Sequence, residues 1–113
     1  MLNNLYRIGE LLASHYNHLL KICSHWGHEY MTTVAMEECA ELTQCISKLK
    51  RYGRKKELKN HLSEEIADVL ICIAELKVMG YWKIGDVEEQ INRKIDRSLK
   101  RIETGGRDDG TGE

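Results

Sequence analysis

The sequence contains no proline in its 113 residues. Glycine is therefore the main residue that can interrupt its helical pattern. The glycines that separate segments are Gly27, Gly53, Gly80, Gly85, Gly105 and Gly106. Four segments with helical periodicity lie between these glycines, and no segment alternates with the period of two that marks a strand. The sequence therefore predicts an all-α fold.

Long apolar runs are also missing. No run approaches the ~20 residues of a membrane-spanning helix, and residues 1–5 lack the basic and apolar regions of a signal peptide. No two cysteines form a CxxC pair, and all four lie in or beside apolar helical stripes, which favours buried reduced thiols. These cysteines are Cys23, Cys39, Cys45 and Cys72. We therefore expect a cytoplasmic protein without a membrane segment.

There is little excess of charge of either sign, because the formal net charge is −1. This balance gives no overall attraction to nucleic acid or to an anionic membrane. The length suits one domain with one core and is too short for two. We expect that domain to cover residues 1–103. Residues 104–113 combine glycine with charge and contain no apolar residue, which predicts a disordered tail.

The glycines and the apolar periodicity define four predicted helices. The first covers about residues 3–26 and the second about residues 29–52. The third begins between Lys55 and His61 and ends near Met79. The fourth follows Asp86 as N-cap, with Glu89 as its capping-box partner. Because only a short connection joins the second and third helices, they should be antiparallel neighbours in a four-helix antiparallel bundle.

Two acidic clusters are the most informative feature. They are EECAE at residues 37–41 and EEIAD at residues 64–68. Each places two carboxylates three residues apart, so both point from the same helix face with roughly 5–6 Å between Cβ atoms. Glu38 falls inside the apolar stripe of its helix, and Glu41 lies at the edge of that stripe. Glu65 falls inside the stripe of the next helix, which includes Ile66, Cys72 and Ile73, and Asp68 lies one turn before Cys72. The carboxylates are thus expected to face inward.

An unpaired buried carboxylate costs several kcal/mol, so four inward carboxylates call for a cation. Two antiparallel helices would bring them together, at one level if the third helix begins near Lys56 or Glu57 and about a turn apart if it begins at His61. Oxygen-only ligands suit Mg²⁺ or Mn²⁺ better than Zn²⁺. The alternatives are a solvated helix face, or ion pairs with bases such as Lys48 and Arg51.

Basic residues surround the turn between the second and third helices. They are Lys48, Lys50, Arg51, Arg54, Lys55, Lys56 and Lys59. They form either a solvated loop or a surface that attracts a polyanion. Lys48 follows Glu41 by one heptad and so lies on the same side. On the fourth helix, Asn92, Lys94 and Arg97 stand beside the apolar stripe, where the cations could bind phosphate or serve as surface charge.

Histidines cluster early in the chain, at His15, His18, His25 and His28. His15 and His18 have helical spacing, but no cysteine or carboxylate completes an obvious metal-ligand set. We therefore expect no metal or catalytic role for this cluster. Aromatic residues at predicted helix ends suit packing, or stacking on a base. They are Trp26, Tyr81 and Trp82.

Together these motifs resemble the MazG-like, all-α nucleoside triphosphate pyrophosphohydrolases. That superfamily carries EExxE, then ExxD on the next helix, then N-x-K-apolar-x-R. The chain has Glu37-Glu38-x-x-Glu41, then Glu65-x-x-Asp68, then Asn92-x-Lys94-Ile95-x-Arg97. The resemblance covers roughly residues 28–103. Each motif alone is weak, but their order and spacing together are fairly specific.

The resemblance implies a helical bundle that binds Mg²⁺ through four carboxylates, those of Glu38, Glu41, Glu65 and Asp68. It implies hydrolysis of a nucleoside or deoxynucleoside triphosphate to monophosphate and pyrophosphate, as in nucleotide-pool house-cleaning, by a homodimer or homotetramer. Glu37 or Glu41 would accept the proton of the attacking water. Lys48, Lys94 and Arg97 would hold the β and γ phosphates, and Asn92 would contact the substrate.

Three other functions fit parts of the pattern. A dimeric dUTPase-like enzyme of the same helical superfamily would act on one deoxynucleotide. A non-catalytic helical interaction module would neutralise the acidic clusters with its own lysines and arginines. A nucleic-acid-binding protein would use the basic turn, although the net charge argues against it.

Overall fold

The computed structural model describes residues 4–105. Every regular element in this part of the chain is a helix: α1 (Leu5–Ser14), α2 (Tyr16–Tyr52), α3 (Lys56–Val78) and α4 (Ile84–Thr104). The prediction of an all-α fold with four helices is confirmed. Most of the predicted tail, residues 106–113, lies outside the described residues. Within residues 4–105 no helix is long and apolar enough to cross a membrane.

Gly27 interrupts α2. Its φ of 84° and ψ of 164° are not helical, and φ in this positive range is readily adopted only by glycine. The predicted break between the first and second helices is therefore present. The segment before it differs from the prediction, because α1 ends at Ser14 and His15 has φ −96° and ψ 13°. The Ser14 hydroxyl donates to the Leu11 carbonyl at 2.6 Å, a local hydrogen bond that competes with helical bonding.

The turn between α2 and α3 sets the register of the site. α2 ends at Gly53, whose φ is 87°, and α3 begins at Lys56. With so short a connection, α3 folds back against α2, which is its principal packing partner. The start at Lys56 meets the condition under which the two acidic clusters lie at one level.

The buried face of α2 follows heptad spacing. Met31, Ala35 and Cys45 are buried, and Glu38 and Leu42 occupy the positions between them with half-buried side chains. Alternating steps of four and three residues keep one side of a helix against a neighbour. A carboxylate therefore occupies a position where this pattern normally places an apolar residue.

The buried face of α3 is more polar than the apolar pattern indicated. Its buried residues are Glu65, Cys72 and Glu75. The predicted stripe included Ile66 and Ile73, but these side chains are 40% and 43% exposed. That part of the prediction was wrong because the packed face lies one position earlier along the helix, on carboxylates and a thiol.

Helix α4 belongs to a second compact unit, which begins at Trp82, whereas the first unit ends at Tyr81. The predicted N-cap, Asp86, lies inside the first turn, because α4 begins at Ile84 after Lys83. A carboxylate in the first turn still interacts favourably with the helix dipole. The amphipathic pattern is as predicted, and its apolar stripe is substantially exposed, from 37% at Val87 to 75% at Ile102.

Candidate metal and active site

Three carboxylates converge between α2 and α3. One ligand oxygen from each of Glu38, Glu65 and Asp68 lies within 4.8 Å of the other two. Glu38 reaches this point from the heptad face of α2, and Glu65 and Asp68 project one turn apart from α3. We call these three residues the carboxylate group. Oxygen atoms this close together can serve as ligands of one metal ion.

The carboxylate group is electrostatically costly on its own. Burial raises the pKa of the Glu38 carboxyl, and the charges of Asp68, Glu41 and Glu65 and a hydrogen bond shared with Asp68 raise it further. Within the described residues, Oε1 of Glu38 and Oε1 of Glu65 are buried without a hydrogen-bond partner. Buried acceptors of this kind need a partner, and a hard cation fits an all-oxygen donor set.

Ion pairing of the carboxylate group with Lys48 or Arg51 receives no support from this geometry. Within residues 4–105, neither Lys48 nor Arg51 forms an ion pair with the carboxylate group. The Arg51 guanidinium lies over the ring of Tyr52, at 5.2 Å from its centroid. The negative charge of the carboxylate group is therefore not neutralised by the two bases that the sequence had suggested.

His61 contacts the carboxylate group from the preceding turn of α3. Its Nε2 lies 3.1 Å from Oε2 of Glu65. This contact holds one Glu65 oxygen while the other, Oε1, remains without a partner in the described structure. Hydrogen bonds of this kind orient carboxylates that bind metals. The sequence interpretation missed His61, although its four-residue spacing from Glu65 could have indicated the contact.

Two cavities flank the carboxylate group. The first, with a volume of about 220 Å³, is lined by Glu38 and Asp68 together with aromatic and apolar side chains. The second, of about 250 Å³, is lined by Glu65 and by polar side chains that include Glu41, Lys48 and His61. We call them the aromatic cavity and the polar cavity. A ligand bound at the carboxylate group can therefore extend in two chemically different directions.

The predicted residues of α2 have different relationships to this site. Glu41 is exposed and lines the polar cavity beside Glu65, but it is not part of the group of converging carboxylates. Lys48 lines the same cavity, as its heptad spacing from Glu41 indicated. Glu37 is exposed and lines neither the aromatic nor the polar cavity.

The predicted residues of α4 lie on one stretch of that helix. Asn92 and Lys94 are exposed, and Arg97 is half-buried. Lys94 and Arg97 are one helical turn apart, as the sequence indicated. Their contact with substrate phosphate stays a prediction.

Glu75 is a buried carboxylate that the sequence interpretation missed. It is 5% exposed, it lines the aromatic cavity, and burial raises its pKa. It follows Asp68 by one heptad, so it continues the face formed by Glu65, Asp68 and Cys72. The heptad spacing from Asp68 could have indicated this buried position, because it places a charged residue directly after the apolar run Val69–Ala74.

The early histidines contact each other and aromatic rings. Nδ1 of His15 lies 2.9 Å from Nδ1 of His18, and Nδ1 of His28 lies 3.3 Å from the Tyr81 hydroxyl. His25 packs edge-on against Trp26, with ring centroids 4.7 Å apart. The group of potential metal ligands found within residues 4–105 contains carboxylates only.

An antiparallel helix pair with clustered carboxylates between its helices defines an all-α protein with a candidate divalent-cation site. The family model described as the MazG nucleotide pyrophosphohydrolase domain matches residues 26–102. This match spans most of the chain and includes all three motifs, and the chain belongs to this family. The resemblance seen in the motifs is thus confirmed. Searches among curated proteins and among solved structures gave no match.

Membership in this family gives the protein a general function. It is a nucleotide pyrophosphohydrolase domain, so its substrate is a nucleotide and its reaction is hydrolysis of a phosphoric anhydride.

Proposed function

We propose that the protein hydrolyses a nucleoside or deoxynucleoside triphosphate to monophosphate and pyrophosphate in the presence of Mg²⁺, with Mn²⁺ as a possible substitute. The observation that carries this proposal is the carboxylate group, in which two buried oxygens lack partners within the described residues. A nucleotide pyrophosphohydrolase needs positive charge beside the phosphates, and a bound cation supplies it. Nucleotide-pool house-cleaning in the cytoplasm is the corresponding role.

The residues present fit a divalent cation. Glu38, Glu65 and Asp68 would hold it, because they supply carboxylate oxygens that converge on one point. When bound, the ion would neutralise triphosphate charge, polarise the α-phosphorus and lower the pKa of a water ligand. His61 would fix the orientation of Glu65 through the 3.1 Å contact.

The polar cavity supplies two further polar groups of the proposed reaction, Glu41 and Lys48. Glu41 is the better candidate for general base, since it lines this cavity beside Glu65 whereas Glu37 does not. Lys48 in the same cavity would bind the β and γ phosphates as a mobile cation. On α4, Lys94 and Arg97 would bind further phosphate oxygens, and Asn92 would contact the substrate.

We also propose that the protein is a homodimer or homotetramer. No residue of α1 is buried, and Leu5 and Leu11 on this helix are 71% and 60% exposed. A second copy of the chain would cover such an apolar face. Light scattering coupled to size-exclusion chromatography would test this, and a monomer at all concentrations would contradict it.

The decisive experiment is a screen of ribonucleoside and deoxyribonucleoside triphosphates with Mg²⁺, in which pyrophosphate and orthophosphate are quantified separately. We expect pyrophosphate from at least one substrate and much less from the Asp68→Asn variant. Orthophosphate as the first product, or full activity in excess EDTA, would contradict the proposal. A dUTPase-like enzyme would differ only in accepting a single deoxynucleotide.

A further inference from the structure

We propose that the aromatic cavity receives the base of the bound nucleotide and that Glu75 forms hydrogen bonds with the edge of that base. Glu75 is then a specificity-determining residue. This inference rests on the proposed function, because it places a nucleotide at the carboxylate group.

The first argument is continuity with the carboxylate group. Glu38 and Asp68 belong to that group and also line the aromatic cavity. The polar cavity on the other side of the group contains Lys48 and His61. Phosphates require cations and hydrogen-bond donors, whereas a base requires a flat apolar surface. A nucleotide therefore matches the two cavities in one orientation, with its base in the aromatic cavity and its phosphates toward the polar cavity.

The second argument is the aromatic wall. The rings of Trp26 and Tyr30 stack with centroids 4.7 Å apart and an interplanar angle of 23°, and both side chains line the aromatic cavity. They are 53% and 50% exposed, so part of this stacked pair remains accessible. Aromatic side chains of this kind stack on any base, because every base has a π face.

The third argument is size. The aromatic cavity has a volume of about 220 Å³, below the roughly 300–1,000 Å³ of pockets that enclose a complete drug-sized ligand. It suits one part of a nucleotide and not the whole molecule. The remaining part would then lie at the carboxylate group and in the polar cavity.

The fourth argument is the position of Glu75. Its side chain is at least nine-tenths buried, it lines the aromatic cavity, and no hydrogen bond to its carboxyl oxygens is found among the described residues. These oxygens are not among the fully enclosed unpartnered atoms of the described residues, so a ligand in the cavity can reach them. A largely buried polar group favours a ligand that offers it a hydrogen bond. Because burial raises its pKa, the carboxyl tends toward its neutral form, which offers one donor and one acceptor.

Stacking and hydrogen bonding contribute differently to specificity. Stacking on Trp26 strengthens the binding of every base. A buried hydrogen-bonding group instead rejects bases that leave it unpaired. We therefore assign affinity for the base to the aromatic wall and the choice between bases to Glu75.

The test measures binding and hydrolysis separately. Nucleoside monophosphates with one sugar and the different bases would be titrated by calorimetry with Mg²⁺ present, and kcat/KM would be measured for the corresponding triphosphates. The variants are Glu75→Met, which removes donor and acceptor, and Glu75→Gln, which keeps one of each. Glu57→Gln is the control, since Glu57 is exposed on the same helix and lines neither cavity.

We expect the wild-type protein to bind and hydrolyse nucleotides with different bases to different extents. Glu75→Met should reduce the ratio between the affinities, and between the kcat/KM values, for the best and the worst base by about tenfold or more. Glu75→Gln and the control should keep the ranking. Trp26→Ala should weaken the binding of nucleotides with every base alike, by about 5- to 150-fold, as expected for the loss of one stacking interaction. Thermal melts should show every variant folded, and Glu75→Met should be no less stable, because it removes a buried polar group.

Two results would overturn this inference: no base preference in the wild type, or a Glu75→Met variant in which the ratio between the best and the worst base is unchanged, as it would be after an equal loss for all bases. The proposed function fails on a different result, the absence of pyrophosphate release from every triphosphate. Monophosphate binding decides the role of Glu75 even then, because it requires no hydrolysis.

Discussion

Glu38 and Asp68 lie on different helices and line the same cavity, where burial of Glu38 and then the charge and shared hydrogen bond of Asp68 raise the pKa of the Glu38 carboxyl. Bringing these two groups together without a cation disfavours the ionised form of Glu38. A divalent ion would reverse that preference, because it binds the ionised carboxylates. The metal should therefore act on stability as well as on activity.

We predict that Mg²⁺ raises the melting temperature of the wild type and that Glu38→Gln, Glu65→Gln and Asp68→Asn abolish most of this rise. A ligand of the folded state at a hundred times its Kd stabilises by about 2.7 kcal/mol. The same variants should lose most activity, while their stability without metal stays equal or increases through reduced repulsion. Thermal melts with Mg²⁺ and with EDTA are the measurement.

Glu64→Gln is the matched control for this series. Glu64 is exposed and adjacent to Glu65 in sequence, so its variant should keep the stabilisation by Mg²⁺. If the three carboxylate variants respond to Mg²⁺ as the wild type does, the carboxylate group is not the metal site. An interaction module that pairs its own charges would likewise show no stabilisation by metal.

The sequence predicted the centre of this site because two constraints coincide there. The three-residue spacing of Glu65 and Asp68 fixes their common face, and the short turn after Gly53 fixes the level at which that face meets Glu38. Both constraints are local, so they can be derived from residue spacing alone.

Other features were missed because apolar periodicity does not specify which face of a helix packs. On α3 the isoleucines Ile66 and Ile73 suggested the buried stripe, but the packed face carries Glu65, Cys72 and Glu75. Glu75 was therefore assigned no role. The end of α1 at Ser14 was missed for a different reason. Neither glycine nor proline marks it, and a side-chain hydrogen bond accompanies it.

We predict that Glu41→Gln slows turnover while Mg²⁺ still stabilises the variant. Glu41 lines the polar cavity but lies outside the converging carboxylates, which suits a proton acceptor better than a metal ligand. General-base removal typically costs about 10²–10⁴-fold in rate. Glu37→Gln is the control and should lose much less. Loss of stabilisation by Mg²⁺ in Glu41→Gln would instead identify Glu41 as a metal ligand.

We predict that Lys48→Ala raises KM for the triphosphate, whereas Lys50→Ala has little effect. Both lysines are exposed in the same basic run, but only Lys48 of the two lines the polar cavity. If Lys48 binds phosphate, its loss should also weaken the binding of pyrophosphate as a product inhibitor. Equal effects of the two substitutions would show that the basic run acts only through its overall charge.

We predict that Glu75 makes stability depend on pH in one direction. Burial raises the pKa of Glu75 above the ordinary value of 4.5, so the folded state favours the protonated carboxyl. Its contribution is complete below pH 4.5 and is lost as the pH rises through the raised pKa. Glu75→Gln cannot ionise, so its melting temperature relative to the wild type should rise between pH 4.5 and 8.

This comparison is made in EDTA, and the pH dependence of Glu57→Gln relative to the wild type is the control, since Glu57 is exposed. A melting-temperature difference between Glu75→Gln and the wild type that stays constant over this pH interval would show that Glu75 titrates as an ordinary carboxyl group.

We predict that the four thiols react at very different rates. Burial, followed by the neighbouring charges of Glu75, Glu38, Cys39 and Asp68, raises the pKa of Cys72 to about 11. At pH 8 only about one Cys72 in a thousand would then be ionised, and the thiolate is the reactive form. Cys39 is exposed, whereas Cys23, Cys45 and Cys72 are buried. Iodoacetamide at pH 8 should therefore label Cys39 first, and mass spectrometry of peptides would show the other three labelled only in denaturant. Rapid labelling of Cys72 in the folded protein would show that this part of the buried face opens readily to solvent.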